Sequence, residues 1–178
     1  MTPIRLLAIP AAAALAALLV GAAAPADAQT AAKKNWAPPA GKIYAQKLSD
    51  ETMAKHPELL SITFHGVPPG EHDLYTMFAG SYPERIGNPD DPDDIDVTKK
   101  GITIIDPRWR RTNDAVKKFV VLEPLRDKAG ENVGLIVYAF KTDAGNKGER
   151  KYALAAMGLR DQLQARIPSY AALFATAK

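Results

Sequence analysis

Two apolar runs joined by one short glycine-containing turn constrain this chain more than any other feature. AVKKFVVLEPLRD (115–127) and VGLIVYAFKT (133–142) are rich in Val, Ile, Phe and Tyr, with DKAGEN between them. Such residues suit a pleated, half-buried surface, and so short a break returns the chain alongside itself. The pair therefore predicts a long antiparallel hairpin. Two upstream segments belong beside it. LLSITFHGV (59–67) alternates, with Leu60, Ile62 and Phe64 on one side and Ser61, Thr63 and His65 on the other. PPGEHD is a turn, and DLYTMFAGS (73–81) is a second strand, with Leu74, Thr76 and Phe78 opposite Tyr75, Met77 and Ala79. GITIIDPRWRR (101–111) reads as a further extended segment, weakened by Pro107.

Helices are expected around these strands. The first spans 42–55 on a thin stripe of Tyr44, Leu48 and Met53, with Ser49, Asp50 and Glu51 facing solvent, and Pro57 ends it. A short one begins in the acidic stretch SYPERIGNPDDPDDID (81–96). There Asp91 precedes Pro92, and Asp93 and Asp94 follow: a capping residue, a proline at the first helical position, then acids against the positive end of the dipole. Lys99, Lys100 and Gly101 close it. The longest helix spans 149–167, where Tyr152, Ala156, Leu159, Leu163 and Ile167 fall on one face and Pro168 stops the chain. SYAALFATAK adds a last short turn. The order α-β-β-α-β-β-β-α contains no βαβ alternation. The expected fold is α+β: a five-stranded antiparallel sheet with an N-terminal helix, a short helix after the second strand and a C-terminal helix, the helices packed on one face.

The first 28 residues stand apart from this fold. MTPIRLL carries a cation at Arg5, LLAIPAAAALAALLVGAAA is apolar, and Ala26-Asp27-Ala28 is the small-residue pattern at which signal peptidases cut. The expectation is an exported protein, periplasmic or secreted, beginning at Gln29 and not membrane-embedded after cleavage. QTAAKKNWAPPAG (29–41) reads as a flexible lead-in and 42–178 as the folded domain. The chain contains no cysteine, which rules out disulfides, haem attachment through thioethers and thiolate metal sites. A net charge of +3, spread along the chain, does not point to nucleic acid.

Three stretches carry a resemblance. "MFAGSYPERIGNPDDPDDIDV" joins a strand ending in small residues to a Pro-x-Arg-Ile-Gly turn and an Asp-rich helix start. "KKFVVLEPLRDKAGENVGLIVYAF" is a closing hairpin with a Leu-Arg-Asp-x-x-Gly turn, and a helix precedes the first strand. Over residues 42–141 the chain resembles a single Cache (PDC) domain, the PAS-like extracytoplasmic sensor type. The resemblance implies a pocket on one sheet face, closed by the loop and short helix after the second strand. It also implies a small polar ligand there: an organic acid, an amino acid or an amine. Most such domains are fused to membrane helices and a signalling output. Neither is read in this chain, so a stand-alone binding or accessory sensor protein is expected. The alternative is a non-catalytic interaction protein that docks on a membrane-bound receptor or transporter through the lead-in and the last long helix.

Seven residues are the candidate ligand contacts. Arg85 offers a planar fork for a carboxylate, with Tyr82 and Tyr75 near it in sequence. Asp106, Arg108, Trp109 and Arg110 put an aromatic between cations, suited to capping an acidic or aromatic ligand. No metal site and no cofactor are expected. NPDDPDDID lacks the central glycine and spacing of a calcium loop, and helix capping accounts for its acids. His56, His65 and His72 lie in different elements without a ligand spacing, and none of the common nucleophile, zinc-protease or nucleotide motifs is present. Catalysis is therefore not expected.

Overall fold

The computed structural model describes residues 33–105, 116–142 and 148–177. The elements in chain order are α1 (Tyr44–Lys55), β1 (Leu59–Gly66), β2 (Thr76–Gly80), a single 3-10 turn (Pro83–Arg85), α2 (Pro92–Lys100) and β3 (Ile104–Ile105). They continue with β4 (Lys118–Arg126), β5 (Asn132–Lys141), α3 (Glu149–Gln164) and α4 (Tyr170–Leu173). The strands form one five-stranded sheet in the order β2-β1-β5-β4-β3, and every pairing is antiparallel. The α+β architecture expected from the sequence is the one observed.

The β4–β5 hairpin is the spine of the sheet. Its turn is held by Asp127, whose Oδ1 accepts the amides of Ala129 at 2.9 Å and Glu131 at 3.1 Å. On one sheet face Ile62, Phe64, Phe119, Val121, Ile136, Tyr138 and Phe140 pack against Leu48 of α1 and Tyr152, Ala156, Leu159 and Leu163 of α3. Ile167, one turn beyond α3, is fully buried in the same core. The apolar stripe expected for α3 is therefore the one that packs. On α1, by contrast, Ser49 is buried beside Ala45, Leu48 and Thr52 rather than facing solvent.

The opposite face is thinner. Val120, Leu122, Leu135 and Ala139 are covered by Val97 of α2, and Ser61, Thr63 and His65 share that side of β1. Helices thus lie on both faces, not on one as expected. The acidic start of α2 is short, and its one buried apolar residue, Val97, still suffices to anchor it across the sheet. A bulge between Leu59 and Ser61 also puts Leu60 on this second face, apart from Ile62 and Phe64. β2 is shorter than expected, starting at Thr76, and among the described residues β3 covers Ile104–Ile105.

The predicted cap of α2 is present. Asp91 is the N-cap, Pro92 is the first helical residue, Asp94 closes a reciprocal capping box, and Gly101 ends the helix in the left-handed region at φ 63°. Asp91→Ala removes the side-chain partner of an otherwise orphaned amide and is expected to cost about 1 kcal/mol. Urea unfolding monitored by circular dichroism would measure it; an unchanged midpoint would show that water replaces the cap at no cost.

Residues 33–41 contain no helix or strand and are tied to the domain. The Asn35 amide donates to Gly87 O at 2.9 Å and its side chain to Tyr75 O at 3.0 Å. Trp36 meets Phe174 edge-on at 6.3 Å. Among the described residues no helix is long and apolar enough to cross a membrane.

Candidate functional site

The thin face and its margin gather most of the unusual chemistry. The segment after the 3-10 turn runs back along β2: Gly87 donates to Met77 O at 2.8 Å, Met77 to Asn88 O at 3.1 Å, and Asp90 to Tyr75 O at 3.2 Å. This return brings Asp90 against β1. His65 Nδ1 lies 2.7 Å from Asp90 Oδ1 and 3.8 Å from Asp94 Oδ2, while its Nε2 lies 2.8 Å from Thr63 Oγ1. Three elements therefore meet at one imidazole: β1 supplies Thr63 and His65, the returning loop supplies Asp90, and the first turn of α2 supplies Asp94.

The cluster is largely shut off from water. The Asp90 side chain is 0 % exposed, His65 10 % and Asp94 15 %. Burial alone would depress the His65 pKa, but the Asp90 carboxylate and its hydrogen bond, with Asp94 behind, hold it above the ordinary histidine value; Arg85 opposes them. Burial pushes Asp94 up to about 6, reinforced by Asp90 and Asp93 and opposed by His65. Asp90 Oδ2 is buried without a hydrogen-bond partner, as is Asp93 Oδ1. One atom each from His65, Asp90 and Asp94 lie within 4.8 Å of one another, the separation at which three groups can share a cation.

A cavity of about 320 Å³ opens beside the end of β1, with its first wall residue, Val67, two positions beyond His65. Val67, Pro68 and Pro69 form one wall, Tyr75 and Tyr170 contribute aromatic surface, and Thr98, Lys99 and Asn132 contribute polar groups. Lys99 Nζ sits 5.1 Å from the centre of the Tyr75 ring, which stacks a cation on an aromatic wall of the cavity. Asn132 is fixed by donating from Nδ2 to Thr98 O at 2.7 Å. Glu71 also borders the cavity.

Of the seven residues singled out in the sequence, Tyr75 is the one placed in this cavity. Arg85 stacks over Tyr82 at 5.5 Å from the ring centre, but Arg85 is exposed and neither residue lines the cavity. Asp106, Arg108, Trp109 and Arg110 lie outside the described residues. Sequence reasoning passed over Lys99, Thr98 and Asn132, because a lysine in the last turn of a helix and a polar residue after a turn have ordinary structural uses. It also passed over the joining of His65 to Asp90 and Asp94. The usable signal was that Thr63 and His65 occupy the same face of β1; nothing in the intervening residues announces the partners.

A second buried charge lies in the main core. Glu123 on β4 is 0 % exposed, its Oε2 is 3.6 Å from Arg160 Nη1 of α3, and neither carboxylate oxygen has a hydrogen-bond partner. Burial raises its pKa to about 7, with Arg160 acting in the opposite direction. The Tyr138 hydroxyl nearby is also buried without a partner, and burial carries its pKa well above the ordinary tyrosine value.

No protein-family model matches the chain, and comparison with curated proteins finds no match.

Proposed function

We infer that this chain is an exported, non-catalytic binding domain of the Cache type that takes a small polar metabolite in the cavity beside α2. The observation carrying this reading is the Lys99–Tyr75 stack on the cavity wall, with Thr98 and Asn132 beside it. A cation held over an aromatic face, next to hydroxyl and amide groups, suits a carboxylate on a small carbon skeleton. Among organic acids, amino acids and amines, the acids and amino acids therefore fit best. Amines would face Lys99, with Glu71 the one acidic group among the described lining residues. A five-stranded antiparallel sheet with a helix before its first strand, and a loop and short helix after its second, supports the Cache-type reading. The apolar leader and its small-residue cleavage pattern support export.

A thermal-shift screen with organic acids, amino acids and amines tests this. A ligand at about 100 times its Kd adds about 2.7 kcal/mol, roughly 5–10 °C for a domain of this size. The shift is expected with one carboxylate-bearing class and is expected to vanish in Lys99→Ala, an exposed change that leaves the fold intact. A ligand shift that survives Lys99→Ala and Tyr75→Ala would place the binding elsewhere and overturn the cavity assignment. The second reading, a docking protein for a membrane-bound partner, draws on Leu154 and Met157, which stand exposed one turn apart on α3. Copurification with a membrane protein, lost on changing both residues to Ser, would favour it.

A further inference from the structure

We propose that Thr63, His65, Asp90 and Asp94 form a binding site for a zinc-class divalent cation, with His65 Nδ1 and one oxygen from each aspartate as ligands and water in the fourth position. None of these four residues lines the cavity beside α2, so the ion site does not depend on what that cavity binds. The three ligand atoms come from a strand, a returning loop and a helix start. They already lie within 4.8 Å of one another, with His65 Nδ1 2.7 Å from Asp90 Oδ1 and 3.8 Å from Asp94 Oδ2. Tetrahedral zinc with bonds of about 2.0–2.2 Å holds its ligands roughly 3.4 Å apart, so shifts of between about 0.4 and 1.4 Å in the pairwise separations complete the geometry.

A histidine–aspartate ion pair alone explains only part of the cluster. It uses His65 Nδ1 and Asp90 Oδ1, and leaves Asp90 Oδ2 buried without a partner on a side chain that is 0 % exposed. It also places a second, largely buried carboxylate, Asp94, beside the first. Two buried acids around one imidazole leave excess negative charge away from water, which a divalent ion neutralises. The other ring nitrogen fits the same assignment. With Nδ1 on the metal, Nε2–H donates to Thr63 Oγ1 at 2.8 Å, the kind of partner that fixes the tautomer of a metal-bound histidine. Asp94 Oδ2 accepts the Asp91 amide at 3.3 Å and keeps a lone pair for the ion. The mixed nitrogen–oxygen set favours zinc-class ions over calcium, which requires six to eight oxygens. A metal on His65 Nδ1 takes the place of a proton there, so binding releases protons.

The test is a zinc titration of the purified, chelator-treated protein by calorimetry in two buffers of different ionisation heat, with metal content read by plasma mass spectrometry. The expected result is one zinc per chain, release of protons on binding, and a melting temperature raised by about 5 °C or more at saturation. Asp94→Asn, close in shape and still able to accept the Asp91 amide, is expected to weaken zinc by about tenfold or more while circular dichroism stays unchanged. Thr63→Val, close in shape, is expected to weaken it by about tenfold by freeing the imidazole. His65→Gln is expected to abolish it; if that variant fails to fold, Asp94→Asn decides alone. A folded protein that takes no zinc at micromolar concentration overturns the proposal. So does zinc binding that is undiminished in Asp94→Asn, and so does binding of calcium but not zinc.

Discussion

Gly134→Ala is expected to destabilise the protein by about 3–5 kcal/mol, a fall of roughly 10 °C in melting temperature. Gly134, the third residue of β5, has φ 140°, where side chains are strained, and a Cβ there would stand 2.4 Å from the carbonyl oxygen of His65 on β1. That neighbour is backbone inside a paired strand, so it cannot rotate away. The β1–β5 pairing would have to separate next to His65, between the acidic cluster and the cavity edge that Gly134 itself lines. Gly130 provides the control. It also has a positive φ, 86°, in the hairpin turn, but an added Cβ meets nothing within 4 Å. Gly130→Ala is expected to show only the conformational cost, about 1 kcal/mol. Urea melts of both variants separate the two contributions, and equal losses would show that the clash at Gly134 relaxes without cost.

Glu123→Gln is expected to stabilise the protein by about 2–3 kcal/mol at pH 8 and to change it little near pH 4.5. Burial raises the Glu123 pKa from 4.5 in the unfolded chain to about 7 in the fold. The folded state therefore holds this proton more tightly than the unfolded one. Below about pH 4.5 the group is neutral in both states and contributes no penalty. As pH rises from there through 7 the unfolded chain ionises first, and stability is lost progressively until the folded group has titrated as well. Glutamine removes the ionisation and with it that slope. Arg160 is not orphaned by the change, because it also bonds Asp161 at 2.7 Å and 3.0 Å and is 20 % exposed. Thermal melts of both proteins at pH 5 and pH 8 measure the effect; parallel pH profiles would mean that Glu123 does not titrate in this window.

These two residues also mark how far the sequence could be read. The β4–β5 hairpin, the capped start of α2 and the apolar stripe of α3 were legible because each is dictated over a few residues. A short turn forces a return, Asp91-Pro92 sets a helix start, and spacings of three and four make one helical face. Arg85, the cation singled out in the sequence, stands exposed over Tyr82 and does not line the cavity. Nothing local distinguishes it from Lys99, which does border a cavity. Glu123 reads as one polar residue in an otherwise apolar strand, and whether such a residue faces water or core depends on what covers that face. Here α3 does.

By itself, then, the sequence determined the elements, their antiparallel pairing and the cap of α2, since these arise from backbone sterics and side-chain periodicity within short windows. Only the tertiary structure decided that α2 crosses to the opposite face from α1 and α3. That crossing, with the return of the chain along β2, carries Asp90 and Asp94 to His65 across 25 and 29 residues. It also places Lys99 over Tyr75 beside Asn132. Burial, and with it the pairing and protonation of His65, Asp94 and Glu123, depends on which surfaces meet, a property of packing that no short window of residues contains.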